Sequence, residues 1–266
     1  MQRSADVASA HVVPVLRSHG FARVPPAQVG DTVRRFARPS PDGRDHAVIE
    51  LCYDRMAIAP ARSLVITTGI VLETSCAYYG VLHGLGEPAP CEINYGVELR
   101  AAPVPPPWSS SPGGPAREQK TWTSERTDPA STRACGQDLA RALTQVILPA
   151  LIELLDRTAL VAELTRVATA RAGGPDLDQG APRPASRLHH QREIDKYLLW
   201  ACIDDATPEQ IEDLLVRYEQ NARAAIGLAR HSSYIMRRWA RAHSGLPLPS
   251  PWTTSALSTP RQDSAG

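Results

Sequence analysis

Glu50 and Glu92 are the residues whose type and spacing come nearest to a chemical function. Each stands in a segment that alternates apolar and polar side chains. His46–Tyr53 puts Ala47, Ile49, Leu51 and Tyr53 on one face and Val48, Glu50 and Cys52 on the other. Cys91–Arg100 sets Cys91, Ile93, Tyr95, Val97 and Leu99 against Glu92, Asn94, Gly96, Glu98 and Arg100. Period-two alternation marks strands with one dry and one wet side. With one further strand between them, the two carboxylates stand roughly 10 Å apart, enough for a ligand or a water-mediated acid/base pair. Thr67, Asn94 and Glu98 share that wet face and are the candidate ligand-binding residues. The plainer and favoured reading of the same side chains is the solvated face of an antiparallel sheet.

A second candidate surface is cationic. Between Ala222 and His243 there is no acid, and Arg223, Arg230 and Arg237 recur seven apart, as an outward stripe on one helix does. Such a stripe fits phosphates or an acidic partner. The preceding Asp204, Asp205, Glu209, Glu212 and Asp213 offer internal pairing instead, the preferred alternative. Other chemistries find little support. His189, His190, Glu193 and Asp195 cluster, but no HExxH or CxxC spacing accompanies them, so no metal is expected. There is no GxSxG, and His83-Gly84-Leu85-Gly86 is a turn rather than a phosphate loop, so no cofactor is expected.

The segment that must position these residues is Ser63–Leu72, uncharged and rich in β-branched residues, with Leu64, Ile66, Thr68, Ile70 and Leu72 on one apolar face. It belongs in the middle of a sheet. Before it come a helix over Ala5–His19 with Pro14 as kink or true start and Gly20 as stop, a short strand Phe21–Val24, and a largely exposed outer strand Asp31–Arg38. Pro39–Gly43 is turn chemistry. Ser75–Leu82 is left open as a helical turn, and a short strand is expected around Lys120–Ser124. Asp128-Pro129 caps a long helix carrying Leu139, Leu143, Val146, Ala150 and Leu154, bent at Pro149, with a further helix from Ala159 to Ala170. Loops too short for crossover helices argue for antiparallel order.

These features predict an α+β fold: an antiparallel sheet of five or six strands, covered on one face by helices and followed by a small helical appendix. The expected division is an α+β domain over 1–170, a Gly- and Pro-rich linker over 171–186, a helical segment over 187–244 and a disordered tail over 245–266. In the helical segment, Thr207-Pro208-Glu209-Gln210 is a capping box with proline at the first helical position.

The 266 residues carry a net charge of +1 with pI about 7.7, so no global field points to nucleic acid or a membrane. Arginine outnumbers lysine 27 to 2, in keeping with a GC-rich bacterial genome, and single arginines carry less weight for that reason. Five scattered cysteines read as buried, reduced thiols. The start of the chain shows no apolar leader, and no run approaches the roughly 20 apolar residues of a membrane span. The expectation is a cytoplasmic protein.

Leu16, His19-Gly20-Phe21, Thr32-Val33-Arg34-Arg35-Phe36, the strand Ile66-Thr67-Thr68-Gly69-Ile70-Val71 and Leu148-Pro149 follow one another in an order that resembles an uncharacterised bacterial family, domain of unknown function 4304, over about residues 4–170. The family's paired tryptophans are not matched, since Trp108 and Trp122 stand far apart. The resemblance implies fold and bacterial origin and no activity. The expected function is a non-enzymatic binding or protein-interaction module with an unidentified protein partner; an immunity-type protein fits its size. The alternatives are an enzyme acting through Glu50 and Glu92, or weak nucleic-acid binding by the arginine helix.

Overall fold

The computed structural model describes residues 8–25, 33–54, 61–93, 96–99, 121–125, 128–172, 191–223 and 228–247. It is mixed helix and sheet, and every strand pairing is antiparallel. The strands are β1 (Ala22–Arg23), β2 (Arg34–Pro39), β3 (His46–Asp54), β4 (Ala61–Val71), β5 (Val97–Leu99) and β6 (Thr121–Glu125). Their order is β1-β2-β3-β4-β5, and β6 also pairs with β4. β4 holds the centre. β3 lies along it from His46↔Val71 to Asp54↔Ser63. β5 and β6 divide the other edge, at Thr68–Ile70 and Ala61–Val65.

One face of this sheet makes the main core. Phe36, Ala47, Ile49, Leu51, Leu64, Ile66, Ile70 and Trp122 are buried in one cluster with the helical residues Leu16, Leu139, Leu148, Leu151 and Leu160. The expected inward face of β4 is therefore the buried one, Thr68 included. The helices are α1 (Val13–Ser18), α2 (Glu73–Leu82), α3 (Pro129–Ala142), α4 (Leu148–Leu154), α5 (Arg157–Ala172), α6 (Gln191–Cys202), α7 (Pro208–Arg223) and α8 (Leu228–His243).

The prolines act as their positions demand. A π-helical turn, Ala8–Val12, runs into α1, and Pro14, which has no N–H to donate to the preceding turn, falls just after that change in winding. At the other end Gly20 takes φ +80°, and Phe21 N donates to Leu16 O at 2.9 Å, closing the helix. Asp128 Oδ1 accepts from Ala130 N at 2.8 Å and caps α3. α3 passes through a second π-helical turn, Leu143–Ile147, before Pro149 in the first turn of α4. The capping box of α7 is reciprocal: Gln210 Oε1 accepts from Thr207 N at 2.8 Å and Thr207 Oγ1 from Gln210 N at 3.4 Å.

Two expectations change and one open reading is decided. β2 is not a largely exposed strand, because Arg35, Phe36 and Ala37 are all buried. The segment Ser75–Leu82 is the body of α2, which follows β4 without a loop. Among the described residues of the segment Cys91–Arg100, the strand covers Val97–Leu99 and leaves out Cys91–Ile93. Ile93 packs on one face of the sheet and Val97 on the other, so their alternation is broken between them. Gly96 sits where the chain turns: its N–H donates to Ile93 O at 2.9 Å, and a Cβ there would lie 2.6 Å from Ile70 O. A tidy alternating pattern was produced by a turn followed by a short strand.

α6, α7 and α8 join the main core rather than forming one of their own, with Ile194, Leu198, Trp200, Ile211, Leu215, Tyr218, Met236 and Trp239 in the same cluster as the sheet. Thr74 Oγ1 in α2 donates to Trp200 O at 2.7 Å. Tyr78 meets Trp200 and Trp239 with ring centroids 5.4 and 5.5 Å apart. α7 and α8 run antiparallel, since Arg237 reaches Glu219 while Arg241 reaches Glu212. Residues 173–190, which hold most of the expected linker, and 248–266, most of the expected tail, lie outside the described residues.

Gly80 supplies a test of how the loop after α2 is packed. In an exposed helix, Gly→Ala stabilises by about 1 kcal/mol. Here a Cβ would lie 2.2 Å from Glu87 O, backbone of the returning loop. Gly80→Ala is expected to destabilise the fold by about 2 kcal/mol in urea denaturation; a gain in stability would show the loop is not seated against α2.

Candidate functional site

The two candidate carboxylates do meet, on the second face of the sheet, but through a third residue. Glu50 lies on β3 directly opposite Arg35 on β2. Glu92 arrives from the loop after α2 rather than from a strand. Arg35 Nε donates to Glu50 Oε1 at 2.7 Å, and Arg35 Nη1 lies 3.2 Å from Glu92 Oε1. The three side chains are 9%, 14% and 17% exposed. One guanidinium thus joins two carboxylates where an open pair was expected. A fork of N–H donors matches carboxylates well in geometry, and in a half-dry setting it holds both in place.

Around this triad the second face is not simply solvated, contrary to the wet-face expectation. Ala37, Val48 and Val71 from the sheet pack with Cys76 of α2 and Ile93 of the loop in a small separate cluster, flanked by Val24 and Cys91. The loop returns over α2, tied by Ala89 N to Cys76 O at 2.9 Å, and lowers Cys91, Glu92 and Ile93 onto the sheet. Thr67 stands opposite Glu50 in register and is half-buried; Glu98 is opposite Gly69. Asn94 lies outside the described residues.

The arginine stripe divides. Arg223 ends α7, while Arg230 and Arg237 belong to α8, which runs back along α7, so the three do not form one row on one helix. Arg237 donates from Nε to Glu219 Oε1 at 2.6 Å and from Nη1 to Glu212, and Arg241 Nη2 donates to the other oxygen of Glu212 at 2.6 Å. Arg237 is held by acids of its own chain. Of the expected metal-like cluster, Asp195 is fully buried and receives Arg217 Nη2 at 2.6 Å, while His189 and His190 lie outside the described residues.

The largest polar constellation among the described residues lies outside the expected sites. Asp45, in the turn before β3 and 2% exposed, receives Arg157 Nε on Oδ2 at 2.6 Å and Arg157 Nη2 on Oδ1 at 3.0 Å. Asp45 Oδ1 also accepts the backbone N–H of Glu73 at the start of α2. Arg157 Nη1 continues to Asp204 Oδ2 at 2.7 Å, and Arg44 Nη2 reaches the same oxygen at 2.5 Å. His243 Nε2 lies 2.8 Å from Asp204 Oδ1, and Arg44 Nε donates to Glu73 Oε2 at 2.7 Å. One network therefore joins the β2–β3 turn, the starts of α2 and α5, the α6–α7 corner and the end of α8. Partial burial pushes the Asp204 carboxyl up, but the hydrogen bonds of His243, Arg157 and Arg44 outweigh it and hold it down at about 2. The bonds to Asp45 and Asp204 raise Arg157 against the opposing effect of its burial. No local motif marks these residues; they are far apart in sequence and each is an ordinary loop or helix-end charge.

Three of the thiols are quiet. Burial raises Cys76 to about 11, Cys91 to about 12 and Cys135 to about 11, so none is an activated nucleophile. No family model, curated protein or solved structure matches the chain. Among the described residues no helix is long and apolar enough to cross a membrane.

Removing the guanidinium would leave two mostly buried carboxylates facing each other. Arg35→Met is expected to lower stability by about 3 kcal/mol and Glu92→Gln by about 1 kcal/mol, read from urea midpoints; equal, small losses would show that the triad holds nothing. For Asp204 the folded-state value lies below the ordinary 3.8, so its contribution is whole above about pH 4 and is lost as pH falls toward 2. The stability gap between wild type and Asp204→Asn is expected to close across that window; a gap independent of pH would contradict the assignment.

Proposed function

We propose that this chain is a non-enzymatic protein-binding module, as its sequence suggests, and that the sheet and its helices are scaffold. The reading takes the sheet as five or six strands with helices over its main-core face, and the short loop-covered cluster on the other face as local packing. The observation that carries it is the capture of Glu50 and Glu92 by Arg35. Carboxylate oxygens that already receive a guanidinium are poorly placed to exchange protons with a substrate. The same holds for the arginine helix: Arg237 donates from Nη1 and Nε to Glu212 and Glu219. That weakens the nucleic-acid reading.

The contact surface we assign is the end of α2 and the turn after it. Val81 is 59% exposed and Leu85 48% exposed, the two most exposed large apolar residues among those described. Gly84 and Gly86, at φ +63° and +71°, shape a tight turn that holds Leu85 outward, with Leu85 N bonded to Gly80 O at 2.9 Å. Beside it, Tyr79 stacks on His83 and lies under the Lys196 ammonium, which also sits 4.7 Å from the Tyr197 ring centroid and 4.8 Å from that of Trp200. An exposed apolar tip beside ordered aromatic rings has the aromatic enrichment of an interface centre. The resemblance over residues 4–170 implies no activity and leaves this reading where the residues put it.

The test is purification of the tagged full-length chain from its native host. A stoichiometric partner is expected that is lost, at least tenfold, when Val81→Glu and Leu85→Glu are combined, with the thermal midpoint unchanged. A partner retained by that variant would move the interface elsewhere, and turnover abolished by Glu50→Gln would replace the binding reading with the enzymatic one.

A further inference from the structure

We infer that Tyr79, Tyr197 and Trp200 form a binding site for a quaternary ammonium group, filled in this structure by the chain's own Lys196. The inference goes beyond the contact surface assigned at the end of α2 and does not depend on it. Three rings from two helices converge on one cation. Lys196 Nζ lies 4.7 Å from the ring centroid of Tyr197, 4.8 Å from that of Trp200 and 5.9 Å from that of Tyr79. Each is within the reach at which the negative face of a ring attracts a cation. Trp200 touches both of the other rings. Its centroid is 5.4 Å from that of Tyr197 and 5.5 Å from that of Tyr79, with the ring planes inclined at 55° and 59°. Rings inclined in this way wall in a point rather than closing into a stack.

The walls are fixed before any ligand arrives. Trp200 and Tyr197 are buried, Thr74 Oγ1 donates to the Trp200 carbonyl, and Tyr78 packs on the indole. Tyr79 is stacked on His83. Rings already held by the core cost a ligand little ordering. The lysine is the adaptable part. Lys196 and Tyr79 are half-buried, so the site meets solvent on their side, and the flexible four-carbon stem can swing outward. A primary ammonium is also the poorer occupant. It is strongly hydrated and has three N–H donors to satisfy, whereas the contact from Lys196 Nζ to Tyr79 Oη is long, at 3.4 Å. A quaternary ammonium has no N–H to leave unsatisfied, and its methyl groups carry the charge onto the ring faces, which is how aromatic cages take such groups. Lys196 is thus a tethered plug that a quaternary ammonium displaces.

Lys120 and Lys196 are the two lysines of the chain, so isotope labelling of lysine in the full-length protein gives one NMR signal for the site and one reference. Ring currents set the Lys196 ε-methylene apart from an ordinary lysine. On titration with tetramethylammonium chloride it is expected to move to the ordinary position, while sodium chloride at the same ionic strength leaves it in place. Lys196→Ala, shown to be folded by its thermal midpoint, is expected to bind tetramethylammonium about tenfold more tightly than wild type, because a competitor at high effective concentration is gone. Adding Tyr79→Leu to that variant is expected to weaken binding about fivefold. Choline and a trimethyl-lysine peptide are compared in the same assay, and the tighter binder assigns the group to a free small molecule or to a side chain of another protein. A Lys196 signal that stays in place, one that sodium chloride moves equally, or no gain in Lys196→Ala would overturn the inference.

Discussion

β4 uses both of its edges along nearly its whole length, and the rest of the chain is arranged to make that possible. Eleven residues without an interruption need partners for their N–H and C=O groups, and β3 along Ser63–Val71 on one side, with β6 along Ala61–Val65 and β5 along Thr68–Ile70 on the other, supplies most of them. Once the backbone is satisfied, Leu64, Ile66 and Ile70 can enter a dry core, where each stabilises the fold by about 2 kcal/mol. β4 also aims the chain. It runs directly into α2, which opens at Glu73 against Asp45, and α2 in turn is the surface on which α6 and α8 are laid.

Charge does different work at three places in this molecule. At Arg35 it joins a strand pair to a loop; at Arg237 it closes a helical hairpin; at Arg157 it links five elements around Asp45 and Asp204. Paired charges of this kind add modest net stability, because taking them from water costs nearly what their attraction returns. Their effect is on specificity. Asp45 is too buried to be left without Arg157, so the start of α5 can dock in only one place. The consequence for function is that the side chains most suggestive of chemistry in the sequence are occupied in holding the fold.

Much of the architecture was legible because it rests on local rules. The alternation of β4 and β3, the Asp128 cap, the Thr207–Gln210 box and the Gly20 stop are each decided by a few adjacent residues, and each stands where its residues place it. Cys91–Arg100 misled for the same reason: alternation over ten residues describes a strand only if no residue turns the chain, and Gly96 does. Arg35 was within reach. The turn at Pro39–Gly43, paired outward, sets residue 35 opposite residue 50, and an arginine facing a glutamate across a hairpin is a pair before it is a site. The Asp45–Arg157–Asp204 network was not within reach, because it depends on how distant elements converge and no spacing encodes that. The division of α7 from α8 was half legible. The arginine spacing runs across the boundary between them, whereas the capping box marks the start of α7.

The central claim is that α6 to α8 share one core with the sheet, through α2. Native-state hydrogen exchange in increasing denaturant reads this directly. Amides of Ile66 and Ile70 in β4 and of Leu199 and Trp200 in α6 are expected to exchange through the same opening, with equal free energies and equal denaturant dependence. Exchange of the α6 amides at a clearly lower free energy, while those of β4 remain protected, would contradict it and show that the C-terminal helices unfold as a unit of their own.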